Sequence, residues 1–184
     1  MNTIKKELRR EMMRRRKEMP AEEVRAKSAA ICRRVMETEA FQKAQTVCVY
    51  LPIRNEVDTA GLIEACRAAG KRTAAPRIRE GGMEFYYFSS QEELKEGMYG
   101  IHEPSGSEKV REKALIVMPG VAFDRELHRI GHGGGYYDRY LTAHPEHETI
   151  AIAYDFQVLA QVPFEEHDIR PMDLITEKGE YQAG

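Results

Sequence analysis

The densest group of chemically useful residues is the glycine-rich segment 129–141, which reads RIGHGGGYYDRYL. Glycine fills four of the five positions 131–135, so the backbone there turns sharply and exposes its N–H groups. A helix beginning near Tyr136 would direct further N–H groups and its positive dipole end toward the same point. This pattern favours a phosphate site over a merely flexible turn. It is neither a P-loop, because no Gly-Lys-Ser/Thr follows, nor the dinucleotide fingerprint, because Tyr136 replaces its third glycine.

Carboxylates near this segment are candidate ligands for Mg²⁺, which takes one or two carboxylates together with phosphate oxygens. Asp138 lies in the first turn of the predicted helix, where it fits equally well as a residue that compensates the helix dipole. His128 and His132 have a zinc-ligand spacing but flank Gly131 in a predicted loop, so they are interpreted as loop histidines. Other carboxylates stand near strand ends or in late loops, and spacing does not choose among them: Asp124, Asp155, Asp168 and Asp173.

Basic residues are concentrated at the start of the chain. Residues 1–17 hold eight Lys or Arg and two Glu, a net charge of +6, whereas the remaining residues carry −8 of the total of −2. A basic leading segment on an acidic body indicates an anionic partner, which is nucleic acid, a membrane surface or phosphate. The segment lacks the apolar stretch of a secretory signal, so we expect a soluble protein of the cytoplasm.

The leading segment is predicted to be an amphipathic helix over residues 2–18, because Ile4, Leu8 and Met12 recur every fourth residue. Lys5 and Arg9 would project from one face of this helix and bind one polyphosphate. The run of basic residues 14–17 is interpreted as a solvated stretch.

Strands and helices alternate along the rest of the chain. This alternation predicts an α/β fold with a mostly parallel sheet covered on both sides, whose ligands bind beyond the carboxyl ends of the strands. The aromatic run 85–88 is interpreted mainly as core, and the three cysteines, Cys32, Cys48 and Cys66, as reduced core thiols. Helices are predicted over 21–38, 58–69 and from 136, and strands over 46–51, 72–76, 83–88, 114–118 and 149–154.

Several segments, taken together and in order, resemble the 5-formyltetrahydrofolate cyclo-ligase (5,10-methenyltetrahydrofolate synthetase) family. The pair PGVAFD at 119–124 and GHGGGYYDR at 131–139 is the most specific part of the resemblance. The other parts are Lys5-x-x-Leu8-Arg9, Leu51 through Glu56, and Val162-Pro163 followed by His167-Asp168.

The resemblance implies a three-layer α/β/α architecture in a single domain, 1–184, with a helical N-terminal segment, 1–40. It implies an ATP-dependent ligase of one-carbon metabolism that uses Mg²⁺ and closes 5-formyltetrahydrofolate into the 5,10-methenyl form. By position, Lys5 and Arg9 would contact ATP phosphates and Asp138 and Asp168 would hold Mg²⁺. Leu51, Glu56 and Tyr136 would line the folate site. The nucleotide loop would comprise Arg129, Ile130, Gly131, His132, Gly133, Gly134, Gly135, Tyr136 and Tyr137.

Two positions depart from the family pattern. Gly134 stands where many relatives carry Lys, and His132 where Tyr or Arg is common. If that Lys neutralises the γ-phosphate, we expect Arg125, Arg129 or Arg139 to compensate for its absence. The candidates for stabilising charge in the transition state are Lys5, Arg9 and Arg139.

In the family's scheme the γ-phosphoryl group of ATP moves to the formyl oxygen, N10 attacks the activated carbon, and phosphate leaves. Positioning and charge neutralisation suffice for such chemistry. Two alternatives stay open: a phosphate-ligand enzyme of sugar-phosphate isomerase or CoA-transferase-like type, and a nucleic-acid-binding module. The second is weaker, because the acidic body would repel a polyanion. We therefore expect small-molecule substrates, with no nucleic acid, membrane or obligate protein partner.

Overall fold

The computed structural model describes residues 2–183, over which helices and strands alternate. The helices are α1 (Asn2–Lys17), α2 (Ala21–Met36), α3 (Glu39–Lys43), α4 (Ala60–Ala68) and α5 (Tyr136–Ala143). The strands are β1 (Thr46–Val49), β2 (Arg72–Arg79), β3 (Gly82–Phe88), β4 (Leu94–Glu96), β5 (His102–Pro104), β6 (Leu115–Met118), β7 (Ala122–Asp124), β8 (Arg129–Ile130), β9 (Glu148–Ile152), β10 (Val158–Leu159), β11 (Asp173–Ile175) and β12 (Glu180–Tyr181).

The main sheet has seven strands in the order β12-β11-β9-β6-β1-β2-β3. The inner pairs β2-β1, β1-β6, β6-β9 and β9-β11 are parallel, and the outermost strands β3 and β12 pair antiparallel to their neighbours. The prediction of a mostly parallel sheet is therefore confirmed.

Different helices cover the two faces of this sheet. On one face Val47 and Val117 pack in a cluster with side chains of α2, α3 and α4. On the other face Cys48 and Ile116 pack with Leu141 of α5. Successive residues of a strand point to opposite faces, so burial on both sides explains the uninterrupted apolar sequence of β1 and β6. The three-layer architecture is confirmed.

The N-terminal helix lies against a smaller sheet rather than against the main one. That sheet has the order β10-β7-β8, and Met12 of α1 packs in one cluster with Ala122 of β7, Ile130 of β8 and Val162. The chain segment that carries β7 and β8 leads directly into the glycine-rich loop. Helix α1 is thereby held beside that loop.

Most predicted elements are present, with small differences in their bounds. The second helix ends at Met36, because Thr38 caps a separate short helix by accepting a hydrogen bond from the Phe41 N–H at 3.1 Å. The first strand ends at Val49, two residues early, where the chain turns away toward residues 53–56. All three cysteines are buried and free, as expected. Within residues 2–183, no helix combines the length and apolarity needed to cross a bilayer.

Candidate active site

A cavity of about 570 Å³ lies beyond the carboxyl ends of the central strands. It is lined by Tyr50 and Leu51, which follow β1, and by Pro119, which follows β6. From β1 the chain continues to β2 on one side of the sheet and later returns to β6 on the other. Such a switch in strand order leaves a crevice between diverging loops, which is where open α/β sheets bind ligands.

Nearly all residues predicted for a ligand site line this cavity. Arg139 is the exception: it lines a neighbouring hollow of about 330 Å³, and its Nη1 donates to the carbonyl oxygen of Gly134 at 2.7 Å. The structure brings the others together without testing their roles. They are Lys5, Arg9, Leu51, Glu56, Arg129, Ile130, Gly131, His132, Gly133, Gly134, Gly135, Tyr136, Tyr137, Asp138 and Asp168.

The glycine loop, residues 131–135, adopts a backbone that favours glycine. Gly133 (φ 110°) and Gly135 (φ 69°) are in left-handed conformations, which residues with a Cβ disfavour. At Gly131 a Cβ atom would stand 2.7 Å from Nη1 of Arg129. Gly135 is the N-cap of α5 and has no side chain to compete for the first N–H groups of the helix. Those groups are placed to face an anion.

Helix α1 contributes two cations to the same wall. The Nε of Arg9 donates to the carbonyl oxygen of Gly131 at 2.8 Å, which fixes the guanidinium along the loop. One turn earlier, the Nζ of Lys5 lies 3.9 Å from a carboxylate oxygen of Glu165. The two basic residues therefore line the cavity with the loop, on one face of α1 as their spacing predicted.

Arg129 is a cation with too few partners. Its side chain is only 6% exposed, and its nearest carboxylate is that of Asp138, 4.0 Å from Nη2. Among the described residues, Nε of Arg129 has no hydrogen-bond acceptor. Burial lowers the pKa of this guanidinium, because desolvation disfavours the charged form. A buried cation in this state would be stabilised by an anion in the cavity.

Asp138 and Asp168 line the same cavity although they are far apart in sequence. Oδ1 of Asp138 accepts a hydrogen bond from the Ile169 N–H at 3.0 Å, and Oδ2 of Asp168 accepts one from the Glu165 N–H at 2.9 Å. Each carboxylate is thus oriented by one oxygen, while its second oxygen accepts no backbone bond from the described residues. Two such oxygens beside a phosphate site fit the preference of Mg²⁺ for carboxylates plus phosphate oxygens.

The remaining candidate carboxylates have structural partners elsewhere. Asp124 is buried in the β7–β8 turn, where it accepts hydrogen bonds from the backbone N–H groups of Glu126, His128 and Val162. Asp155 accepts from the hydroxyls of Thr176 and Tyr181, and Asp173 from the amide of Gln182. The structure, unlike the sequence spacing, distinguishes Asp138 and Asp168 from these residues.

The two loop histidines differ in their surroundings, and they do not form a metal pair. The ring of His128 stacks on Phe164 and lies 3.1 Å from the Asp124 carboxylate. His132 lines the cavity, where its Nε2 is 3.9 Å from Oε2 of Glu56. Burial, reinforced by nearby arginines, lowers the pKa of His132 to about 4. At neutral pH this ring is therefore uncharged.

A cluster of possible metal ligands lies outside the cavity, at His144, Glu146 and His147. Nδ1 of His147 accepts a hydrogen bond from the Ala114 N–H at 3.0 Å. That bond uses the lone pair of Nδ1, so in neutral imidazole the proton is on Nε2 and blocks a metal there. His147 is a structural residue that anchors the start of β6.

The opposite half of the cavity is built around Glu56. Its side chain is buried, at 7% exposure for the whole residue, and its Oε1 accepts a hydrogen bond from the Ile53 N–H at 2.9 Å. Burial raises the pKa of this carboxyl. The walls beside it are largely apolar and come from the first strands of the sheet and the loops after them: Leu51, Ile53, Pro76, Ile78 and Met83.

Two tyrosines close one side of this half. The hydroxyls of Tyr136 and Tyr99 are 3.2 Å apart. The Tyr136 ring occupies the space into which a side chain at position 134 would project, since a Cβ atom on Gly134 would lie 2.6 Å from Cε2 of Tyr136. Tyr99 is 65% exposed and was missed by the sequence analysis. It sits in an irregular loop with no periodicity to indicate that it would reach the site.

One interpretation of the sequence was wrong. Residues 14–17 were expected to be solvated, but Arg16 is 1% exposed, and its Nε donates to the carbonyl oxygen of Arg54 at 3.3 Å. Arg16 follows Met12 by four residues and so continues the buried face of α1. That spacing was the available signal, and the run of like charges around Arg16 concealed it.

Comparison with known proteins agrees with this geometry. A family model described as the 5-formyltetrahydrofolate cyclo-ligase family matches residues 1–177. The chain belongs to that family. Similar members include the 5-formyltetrahydrofolate cyclo-ligase of Mus musculus, 31% identical over 96% of this chain and 95% of the relative. The cyclo-ligase of Escherichia coli K12 is 32% identical over 88% of this chain and 94% of the relative.

Solved structures of the cyclo-ligase family have the same fold. The NMR structure of 5,10-methenyltetrahydrofolate synthetase from Aquifex aeolicus superposes with a TM-score of 0.86 at 33% identity, covering 97% of this chain and 92% of the other. The 5,10-methenyltetrahydrofolate synthetase of Mycoplasma pneumoniae superposes with a TM-score of 0.76 at 22% identity, over 94% and 98% of the two chains.

Proposed function

We propose that the protein catalyses the ATP-dependent cyclisation of 5-formyltetrahydrofolate to 5,10-methenyltetrahydrofolate, with release of ADP and phosphate. One observation carries the proposal beyond family membership. A single cavity has a cationic half, formed by α1, the glycine loop and Arg129, and a largely apolar half that contains one buried carboxylate, Glu56. Two ligands of different chemistry can therefore meet in it.

The cationic half is proposed to bind the ATP phosphates. Lys5 and Arg9 approach from α1, the glycine loop contributes backbone N–H groups, and Arg129 contributes a buried guanidinium whose Nε has no acceptor among the described residues. Among the three arginines expected to compensate for Gly134, Arg129 fits best. Arg125 is exposed and Arg139 lines the neighbouring hollow.

Asp138 and Asp168 are proposed to hold Mg²⁺. When bound there, the ion would neutralise phosphate charge and orient the γ-phosphoryl group. The fit rests on two carboxylates that are each oriented by a backbone N–H group and that both line the cavity beside the glycine loop.

The other half is proposed to bind the reduced folate. A carboxylate held in an apolar wall suits the N–H-rich edge of a pterin ring, because each hydrogen bond to a charged acceptor replaces the hydration lost on burial. Glu56 would accept these bonds, and Leu51 and Tyr136 would pack against the substrate.

The reaction then requires positioning more than covalent work by the protein. The formyl oxygen attacks the γ-phosphorus and ADP leaves. N10 then attacks the activated carbon, and the carbon–oxygen bond breaks to release phosphate, which carries away the N10 proton. Lys5, Arg9 and Arg129 would hold the phosphoryl group in line and stabilise its charge. No side-chain nucleophile is needed.

The cytoplasmic location and the single-domain organisation expected from the sequence remain predictions, as does the absence of further partners. Membership of the cyclo-ligase family favours this reaction over the sugar-phosphate isomerase and CoA-transferase-like alternatives. The basic helix, whose Arg9 and Arg16 turn inward, fits a phosphate site better than a nucleic-acid surface.

The activity is tested by incubating the purified protein with 5-formyltetrahydrofolate, Mg²⁺ and ATP and following the methenyl absorbance together with ADP. We expect product and ADP in equal amounts, and no product when ATP is omitted. The absence of methenyl product in the complete mixture would contradict the proposal.

A further inference from the structure

The turn that carries Glu56 has an unusual backbone. Arg54 (φ 49°) and Asn55 (φ 61°) are consecutive non-glycine residues in the left-handed region, a conformation that costs free energy and persists only where surrounding contacts enforce it. The turn is closed by the hydrogen bond from the Glu56 N–H to the Ile53 carbonyl oxygen at 3.0 Å. The position of the Glu56 carboxylate therefore depends on what holds residues 53–56.

The end of α1 supplies much of that hold. Nε of Arg16 donates to the Arg54 carbonyl oxygen at 3.3 Å, and Nδ2 of Asn55 donates to the Arg16 carbonyl oxygen at 3.0 Å. The hydroxyl of Tyr154 donates to the Asn55 carbonyl oxygen at 2.9 Å from the other side. Arg16 is thus bonded to the turn through both its side chain and its backbone.

Arg16 also brings a charge that its own packing does not require. The side chain is buried in a position where an apolar residue would continue the stripe of α1, and its Nη2 has no acceptor among the described residues. Burying a cation in this way is unfavourable unless a nearby anion compensates its charge. The positive charge of Arg16 acts on Glu56 and opposes the rise in the pKa of Glu56 that burial causes.

We propose that Arg16 is a positioning residue for Glu56, which holds the strained turn in place so that the carboxylate is presented to the folate ring. The inference rests on the proposed role of Glu56. Arg16 and Arg9 are seven residues apart and so share one face of α1, with buried Met12 between them. One helix would then serve both halves of the site, with Arg9 at the glycine loop and Arg16 at the folate-binding turn.

Other groups also face Glu56 and enter any interpretation of its ionisation. His132 approaches from the glycine loop, and Arg54 from the turn itself. The phenols of Tyr50 and Tyr137 are close enough for the Glu56 charge to raise their pKa values, although burial is the larger cause in both. Of these cations, Arg16 is the one that belongs to an element outside both the turn and the loop, and its side chain reaches the turn through the bond to the Arg54 carbonyl oxygen.

The test compares Arg16→Met and Arg16→Lys with Lys17→Met, a control that removes an equal charge from an exposed position in the same helical turn. In Arg16→Met we expect the KM for 5-formyltetrahydrofolate to rise about tenfold with little change in the KM for ATP. The acid limb of the folate-dependent rate should move to higher pH, because the charge that opposes protonation of Glu56 is gone. Arg16→Lys should restore the acid limb but only part of the affinity.

The control Lys17→Met should stay within about twofold of wild type in every parameter. Equal changes in both KM values for Arg16→Met, with an unmoved acid limb, would overturn the proposal and leave Arg16 a purely structural residue. An unchanged KM for ATP shows that the variant is folded. Glu56→Gln tests the role of Glu56 separately from that of Arg16. If Glu56→Gln leaves folate binding intact, the proposed role of Glu56 is wrong. If Glu56→Gln weakens folate binding but Arg16→Met does not, only the inference about Arg16 is wrong.

Discussion

The Nε of Arg9 donates a hydrogen bond to the carbonyl oxygen of Gly131 at 2.8 Å. This contact joins the first helix of the chain to the glycine loop that precedes the last. It uses one donor of the guanidinium to fix its plane and leaves the remaining N–H groups directed along the loop. Gly133 lies close by, with a Cβ position only 3.7 Å from Cζ of Arg9.

Replacing Arg9 should therefore weaken nucleotide binding selectively. For Arg9→Met we expect the KM for ATP to rise about 10- to 100-fold, the range of one or two hydrogen bonds to a charged group. The KM for folate should change little. Arg10→Met, which removes the same charge from an exposed position, is the matched control, and an equal effect in both variants would show that only the net charge of α1 matters.

Arg129 should be more important for ligand binding than for stability. Its guanidinium is buried with an unpartnered Nε, so Arg129→Met should leave the free energy of unfolding unchanged or increased without nucleotide. The increase in melting temperature on adding MgATP should shrink or vanish, since that increase reports affinity. The exposed Arg125→Met serves as control. A large loss of stability without nucleotide would contradict the account.

For two tyrosines of α5, Tyr137 and Tyr140, we predict opposite effects of removing the hydroxyl group. The Tyr137 hydroxyl has no partner among the described residues, whereas the Tyr140 hydroxyl lies 3.3 Å from Nε2 of His147. In urea unfolding, Tyr140→Phe should decrease the free energy of unfolding by about 1 kcal/mol, and Tyr137→Phe should leave it unchanged or increase it. The reverse order would mean that the Tyr137 hydroxyl has an acceptor in solution.

Stability should depend on pH through His132. Burial and nearby arginines lower its pKa to about 4 from 6.5, so between these values the unfolded chain binds more protons and the folded state loses stability as pH falls. As the pH falls through this window, the free energy of unfolding should decrease less in His132→Gln than in wild type. Because the ring is 36% exposed, we expect a difference of about 1 kcal/mol in urea unfolding.

Glu56, whose pKa is raised by burial, contributes in the opposite direction, and its Oε2 lies 3.9 Å from Nε2 of His132. Because neighbouring groups do not contribute additively, both proteins are compared in a Glu56→Gln background. Parallel stability curves for wild type and His132→Gln would show that the ring is solvated like that of an unfolded chain.

The metal proposal is tested by Asp138→Asn, which keeps the oxygen that accepts from the Ile169 N–H but removes the charge. The Mg²⁺ concentration for half-maximal activity should rise about tenfold or more. Asp155→Asn, whose carboxylate bonds to Thr176 and Tyr181, is the control and should retain the wild-type requirement. An unaltered requirement in Asp138→Asn would remove Asp138 as a ligand.

Much of this architecture was predictable because its signals are local. The continuous apolar run of β6 indicates a buried strand, and the four-residue spacing of Leu8 and Met12 indicates a helix. The glycines before Tyr136 indicate where α5 begins. The small sheet was not predicted, because strands of two or three residues such as β8 and β10 have no periodicity to detect. Strand order likewise depends on contacts between distant segments.

In the candidate site too, some features are local in sequence and others depend on contacts between distant segments. The glycine loop and its helix are contiguous in sequence, so their chemistry could be inferred from composition and spacing. The pairing of Asp138 with Asp168 depends on a backbone contact of Ile169, and the burial of Arg16 depends on the turn at Arg54. Such relationships arise only when separate elements pack, and spacing along the chain does not contain them.

The central claim is that ATP activates the formyl oxygen within this cavity. The most direct measurement supplies 5-formyltetrahydrofolate carrying ¹⁸O in the formyl group, with MgATP, and analyses the products by mass spectrometry. The account predicts equal amounts of methenyl product, ADP and phosphate, with the ¹⁸O in the phosphate. Methenyl product formed with unlabelled phosphate, or without ADP, would contradict it.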